Sequence, residues 1–537
     1  MKYLTVSQMK KVEKEANEKG VSYEQMMETA GKGVGQIVAD NYEDVPRRGV
    51  LGLVGPGNNG GDTLIALEYL ARQGWKALAY CIRPRLEKDA LAQRLRSAGG
   101  ELVAAAEDKD GETLEAWLSE SDVLLDGLLG TGTRLPLKPE FAQLLNRVAA
   151  FQPGPQVVAV DCPSGVDCDR GTVADETLAA DVTVVMQAVK AGLLKFPAFN
   201  KVGRIEMVDL NLPSELAGLE DSHARVLDHD IVAGLLPERP NDAHKGTFGT
   251  ALIVAGSINY TGAVLLAGRA AYRIGTGLVR MAIPGPLHLA LAGHLPEATW
   301  VILPHEQGVI SANAGDVLIR HMERVTAMLV GPGLGQENTT GEFLQHVIGS
   351  KPSRAAKGTI GFLSGPQENN ETNSVHIPPL VIDADGLNLL AKIPDWSNSL
   401  PRPAVLTPHP GEMARLTGLT SEEIQQDRLA VAKKYAAEWD AVVVLKGALT
   451  VVAAPDGAAS IVPVATPALA RAGTGDVLAG MVCGLLAQGV EPYAAACAAA
   501  WIHAEAGLAA AEWVGGTASV LASDVLDAVP EVIQGLQ

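Results

Sequence analysis

Short, nearly unbroken apolar runs recur along the chain, separated by longer stretches in which apolar residues return every three or four positions. In the first 210 residues the runs are Val50–Val54, Ala77–Ile82, Val123–Leu125, Val157–Val160, Val182–Met186 and Ile205–Leu210. Runs this short with little polar face describe strands covered on both sides, and the amphipathic stretches between them describe the covering helices. The pattern predicts a mainly parallel sheet. Leu212–Asp228 (LPSELAGLEDSHARVLD) breaks the rhythm and reads as a linker with one short helix. Alternation restarts at Thr250–Ala255 and continues through Leu278–Ile283, Ala327–Val330, Leu380–Ile382, Ala404–Leu406 and Ala441–Lys446 to about Ala509. Two tandem α/β domains are expected, at residues 1–225 and 226–537. Gln367–Ser374 (QENNETNS) is polar enough to be an exposed loop insertion, and no internal repeat is visible.

Composition narrows this picture. A length of 537 residues with 47% hydrophobic and 20% charged residues fits a globular chain of more than one domain. The net charge of −19 leaves no basic surplus to displace counterions, which argues against a general nucleic-acid binder. Small anions remain possible ligands, held by local backbone N–H groups. Five scattered cysteines without CxxC spacing indicate neither a disulfide framework nor a zinc site. The start, MKYLTVSQMKKVEKEANEKG, lacks an apolar core and is not read as a signal peptide. The Ala-rich run Ala494–Ala511 contains His503 and Glu505 and is not read as a membrane span. A cytoplasmic protein without membrane contacts is expected.

Ligands of open parallel sheets bind beyond the carboxyl ends of strands. Three motifs in the first half fall at such ends: GPGNNGGDT (Gly55–Thr63), DGLLGTG (Asp126–Gly132) and DCPSGVD (Asp161–Asp167). Gly55, Gly57 and Gly60 satisfy a dinucleotide-loop spacing, a weak signal alone. The acid expected about 20 residues later for a ribose is missing, because the second run ends Cys81-Ile82-Arg83. An Asp before a PSG turn is commonly a local cap. Three glycine-and-carboxylate loops at successive strand ends would nonetheless bring Asp62, Asp126 and Asp161 towards one crevice.

These motifs, with DGLLGTGTRLPL, VDCPSGVD and VKAGLL in this order, resemble the YjeF N-terminal family, whose enzymatic members are NAD(P)H-hydrate epimerases. The resemblance spans about the first 210 residues and implies a Rossmann-like three-layer sandwich. It implies that Asn58, Asn59, Gly60, Gly61 and Asp62, with Gly130, Thr131, Gly132, Thr133, Arg134, Leu135 and Pro136, hold the hydrated dinucleotide. Asn59, Asp126 and Ser164 would bind K⁺, and Asp161 would face the reacting ring as the catalytic acid and base. Thr63 stands where the family often has Gly, and Asn211 in VDLNLP replaces a Gly of the family's pattern.

In the second half, AGTGDVLAGMVCGLL (Ala472–Leu486) sets glycines before a long apolar helix, an anion cradle with Asp476 beside it. Simple capping would explain Asp476 alone; cradle and base together suit phosphoryl transfer. No G-x-x-x-x-G-K-[ST] occurs, which excludes a P-loop enzyme. HKGTFG (His244–Gly249), GPGLG (Gly331–Gly335), DADGLNLL (Asp383–Leu390), LTPHPGEM, KGALT and AGTGDVLAG follow one another as in the YjeF C-terminal family. The match covers about residues 235 to 510. That family's members look like ADP- or ATP-dependent NAD(P)H-hydrate dehydratases with a ribokinase-like fold. The resemblance implies that Ala263, Gly333 and His409 contact the hydrated cofactor. Lys446, Gly447, Ala448, Leu449, Thr450 and Gly475 would bind the nucleotide, and Asp476 would meet the substrate hydroxyl, with Mg²⁺ assisting.

The expected function is repair of NADHX and NADPHX, by epimerisation in the first domain and ADP-dependent dehydration of the S form in the second. A homo-oligomer is expected. The alternatives are a ribokinase-like small-molecule kinase and a non-catalytic, ligand-binding first domain.

Overall fold

Gly49–Val54 is buried at every residue, with parallel neighbours on both sides, Lys76–Cys81 and Val123–Gly127. The computed structural model describes residues 1–85, 88–220, 223–349 and 377–537. In it the chain forms two compact units, Met1–Val226 and Leu227–Gln537. The expected insertion Gln367–Ser374 lies outside the described residues, as do residues 221 and 222 of the expected linker.

The first unit is built on a seven-stranded parallel sheet. Its order is Glu101–Ala104, Lys76–Cys81, Gly49–Val54, Val123–Gly127, Gln156–Val160, Val182–Met186 and Arg204–Val208. Side chains alternate between two cores. Val50, Val54, Val123 and Leu125 pack with Val34, Val38 and Leu64 on one face. Leu51, Leu53 and Leu124 pack with Leu114, Trp117 and Phe141 on the other. Helices therefore cover both faces, the three-layer arrangement the resemblance implies. The strand order reverses between Gly49–Val54 and Val123–Gly127, and such a switch point opens a crevice at the strands' carboxyl ends. Outside this sheet, Lys2–Leu4 pairs in parallel with Ala188–Lys190, Leu4 opposite Lys190, and antiparallel with Ala224–Val226.

The second unit repeats the logic. Thr299–Leu303, Leu278–Pro284, Thr250–Val254, Ala327–Val330, Leu380–Ile382, Ala404–Leu406 and Val442–Leu445 run parallel. Val451–Ala453 and Ala459–Ile461 extend the sheet antiparallel. Its switch point lies between Thr250–Val254 and Ala327–Val330. The helix Pro492–Val514 is long and apolar enough to cross a membrane, yet most of it is buried inside the unit. It packs on the helices Thr474–Ala487 and Ala522–Gly535.

Two local expectations are corrected. Asn58–Thr63, read as loop, are the first turns of a helix that runs to Arg72. The reason is close approach: a Cβ on Gly60 would overlap the Gly55 carbonyl, so this glycine serves packing more than turn formation. Asp126, expected after its strand, lies within Val123–Gly127. Asn211, where the family has Gly, adopts φ 53°, a left-handed conformation that asparagine tolerates better than most residues.

Candidate functional site

In the first unit the three motifs converge. Asp126 is fully buried and is bound by Ser164 twice, Oγ to Oδ1 at 2.6 Å and N–H to Oδ2 at 2.8 Å. Burial pushes its carboxyl up, and these bonds pull it partly back. Asn59 Nδ2 donates to the carbonyls of Leu129 and Val160, at 3.1 and 2.5 Å. The Leu129 N–H donates to Ser164 Oγ at 2.8 Å. Asn59, Asp126 and Ser164 thus share one small, oxygen-rich region. Among the described residues no three His, Cys, Asp or Glu side chains form a metal cluster. A cation here would be held by one carboxylate, one amide, one hydroxyl and carbonyls, a set that suits a hard cation of low charge.

Asp161 directly follows the strand Gln156–Val160 and has φ 66°, the kind of backbone strain that persists where surrounding structure enforces it. Its Oδ1 accepts both the Met186 N–H, at 3.1 Å, and the Lys190 ammonium. Lys190 also donates to Met186 O at 3.0 Å and is 1% exposed. Lys190 has no assigned role in the VKAGLL motif; its one signal in the sequence is a lysine inside so apolar a stretch. Asp62 is buried nearby and its side chain has no hydrogen-bond partner among the described residues. Burial, the Asp161 carboxylate and Glu13 all raise its pKa against the opposing pull of Lys190, which favours its neutral form. Of the remaining expected binding residues, Asn58 to Gly61 lie in the first turn of the same helix. Gly130 to Pro136 form a surface loop turned by Thr133, whose Oγ1 donates to Gly130 O at 2.8 Å. Arg134 on this loop is exposed and without a partner among the described residues.

In the second unit, helix Thr474–Ala487 begins at Gly473, with Gly475 and Asp476 in its first turn. Lys446 Nζ lies 3.4 Å from where a Gly475 Cβ would sit, so the two expected nucleotide elements meet. The ammonium is engaged: it donates to Asp383 Oδ1 at 2.5 Å and is 3.8 Å from Glu412 Oε2. Burial would lower Lys446, but these carboxylates overcome it and raise its pKa. Asp383 also accepts from Thr407 Oγ1 at 2.7 Å, while its Oδ2 is buried with no hydrogen-bond partner. Asp476 is pushed up to about 7, chiefly by burial and then by Asp383. His503, beside the Thr474 backbone, is buried, and burial lowers its pKa to about 4.

The other expected residues fall around this centre. Gly333, at φ 63°, approaches Tyr260 and Ala263 closely enough that a Cβ would collide with both. His409, expected to contact the hydrated cofactor, caps the helix Pro410–Thr417, its Nδ1 accepting from Gly411 N at 3.0 Å. Burial and the cations Lys446 and Arg415 lower its pKa. In the KGALT loop Leu449 is buried, so its side chain belongs to the core, while Thr450 Oγ1 donates to Gly447 O at 2.8 Å. Asp383 and Glu412 have no local signal in the sequence: their pairing with Lys446 joins the ends of Leu380–Ile382 and Val442–Leu445, which have one strand between them, and the helix Pro410–Thr417.

Residues 251–353 and 367–531 match the NAD(P)H-hydrate dehydratase family, and residues 23–192 match the YjeF-related protein N-terminus. The bifunctional NAD(P)H-hydrate repair enzyme Nnr of Moorella thermoacetica is 34% identical over 518 residues, covering 95% of this chain and 92% of that protein. The enzyme of the same name from Salinibacter ruber is 36% identical over 527 residues, covering 94% and 91%. A solved ADP/ATP-dependent NAD(P)H-hydrate dehydratase from Bacillus subtilis, co-crystallised with ATP/Mg²⁺, is 31% identical and covers 58% of this chain and 98% of that one, with a TM-score of 0.45. With relatives this similar along nearly its whole length, the chain belongs to the bifunctional NAD(P)H-hydrate repair enzyme family.

Proposed function

We propose that the first unit interconverts the R and S hydrates of NADH and NADPH, and that the second dehydrates the S form with ADP as phosphoryl donor, yielding AMP and phosphate. The observation that carries this reading is Asp476, a carboxylate with a pKa of about 7 at the N-terminus of a helix. Hydroxide is a poor leaving group, and phosphorylation turns it into a good one. Asp476 takes the hydroxyl proton as the oxygen attacks the terminal phosphoryl group; a base is most effective when its pKa lies near the working pH. Backbone N–H groups of the helix N-terminus face the developing negative charge. Phosphate then leaves C6 with the push of the ring nitrogen, and loss of a proton from C5 to solvent restores the ring double bond of the dihydronicotinamide. Mg²⁺ fits the unpartnered Asp383 Oδ2 and neighbouring Glu412, oxygen ligands of the type it prefers; when bound it would offset charge on the phosphates.

In the first unit Asp161 handles the C6 hydroxyl. Lys190 and the Met186 N–H both bind Oδ1, which leaves Oδ2 for the substrate's proton. The carboxyl gives a proton as the hydroxyl departs with the push of the ring nitrogen, and takes one as water returns on the other face.

The test is incubation of the full chain with purified S-hydrate of NADH, Mg²⁺ and either ADP or ATP, followed by near-ultraviolet absorbance. A nucleotide-dependent rise, faster with ADP, is expected. A stable phosphorylated alcohol with no rise would support the small-molecule kinase instead.

K⁺ fits the oxygen set of Asn59, Asp126 and Ser164, where it would neutralise the buried Asp126. We expect K⁺ to raise the thermal midpoint of the first unit and its epimerase rate above the values in Li⁺. Ser164→Ala should abolish that difference, and a midpoint indifferent to the cation would refute the assignment.

A further inference from the structure

Arg428 opens the helix Arg428–Trp439, and its side chain reaches the carboxyl end of the strand Val442–Leu445. Its Nη2 donates to Leu445 O at 2.7 Å and its Nη1 to Gln425 Oε1 at 2.9 Å. The Nε is buried and has no acceptor. A guanidinium offers five N–H donors, so three remain unused. No carboxylate pairs with it among the described residues, whereas Lys446, one strand-end residue away from Leu445, has two. Burial, unopposed by any acid, lowers its pKa to about 10. A desolvated cation without a counter-ion is unfavourable unless an anion completes it.

The neighbouring backbone leaves room for one. Gly447 has φ 145°, and a Cβ there would sit 3.2 Å from both Nη1 and Nη2. Glycine therefore keeps the end of the guanidinium uncovered beside the loop expected to bind the nucleotide. Lys446 faces Gly475 and the carboxylates, on the side where the phosphoryl group is transferred; Arg428 faces Gly447 instead.

We propose that Arg428 is a nucleotide-binding residue whose Nη1–Nη2 end, open across Gly447, takes the phosphate that ADP retains when it becomes AMP. The proposal rests on the ADP-dependent reading of this unit. Two N–H groups aimed at one phosphate give a charge-assisted, bidentate contact, which lysine reproduces only in part.

The experiment is calorimetric titration of the full chain and of R428Q and R428K with ADP, AMP and adenosine. R428Q should weaken ADP and AMP about tenfold to a hundredfold and leave adenosine unchanged, with R428K between R428Q and the parent chain. Equal loss of adenosine would show that Arg428 merely shapes the loop through Leu445 and would overturn the proposal, as would undiminished ADP and AMP binding. Absence of ADP binding by the parent chain would instead overturn the ADP-dependent reading itself, and this assignment with it.

Discussion

Asp476→Asn should lose ADP-dependent dehydration by about 10²- to 10⁴-fold in kcat, the usual contribution of a positioned general base, and should at the same time make the second unit more stable at pH 8. Both effects come from one cause. Burial and the nearby Asp383 raise the Asp476 pKa from 3.8 to about 7, so the ionised form is disfavoured by about 4 kcal/mol relative to an exposed carboxyl. Between these two pKa values the folded chain retains a proton that the unfolded chain has released. Stability conferred by the neutral form is therefore fully present at low pH and is lost as pH rises from about 4 towards 7. An asparagine never ionises, so the variant escapes that loss, and its thermal midpoint should exceed the parent's most at pH 7 and above. Activity runs the opposite way, because the base must be ionised: parent kcat/KM should rise with pH through about 7. First-unit epimerisation should be untouched. A variant that is inactive but also less stable at pH 8 would show that Asp476 is a structural cap, and a parent profile flat between pH 5 and 8 would remove it as the base.

The central strands were legible because they are buried on both faces. Val182–Met186, Ala327–Val330, Leu380–Ile382 and Ala404–Leu406 appear in the structure with the boundaries their apolar runs predict. Two edge strands were not, although a third, Arg204–Val208, corresponds to the apolar run Ile205–Leu210. Glu101–Ala104 has an exposed first residue and two half-buried ones, and Thr299–Leu303 alternates buried with less buried positions. Each is too short for that alternation to stand out from a loop. The same limit hid Lys2–Leu4, a three-residue strand in a segment whose charge was its most visible property.

Site chemistry divides along similar lines. Asp126 and Asp161 could be located because each closes or follows an apolar run that leads into a glycine-containing turn, and Asp476 because it follows glycines at the start of an apolar helix. What each carboxylate touches depends on strand register, and register is set by the whole sheet rather than by nearby residues. Lys190 meets Asp161 across 29 positions, and Lys446 meets Asp383 across 63. No local pattern announces such partners. The only trace in the sequence is a lysine where an apolar residue would otherwise be expected, in AVKAGLL and again in VVVLKG.

Lys190→Met should be the most damaging single change to the first unit. The ammonium is 1% exposed and its partner Asp161 7%; the two hydrogen bonds from Nζ go to Asp161 and Met186 O. Removing one member of a buried pair strands the other charge, at about 3–5 kcal/mol, and in a unit of this size that lowers the thermal midpoint by about 10 °C. Hydrogen exchange across Val182–Met186 should accelerate, since the Met186 N–H is held by the same Asp161 oxygen. Epimerisation should disappear because the carboxyl is no longer oriented, whereas dehydration of S-hydrate in the second unit should continue. Stability and catalysis are separated by Asp161→Leu/Lys190→Met. Replacing both charges by apolar side chains of similar size is often neutral, so the double variant should regain most of the lost midpoint and none of the epimerase activity. Recovery of activity in the double variant would show that the pair serves the fold alone and that the proton is handled elsewhere. Retention of both midpoint and activity in Lys190→Met would show that Asp161 needs no counter-charge, and the acid–base role drawn from this contact would fall.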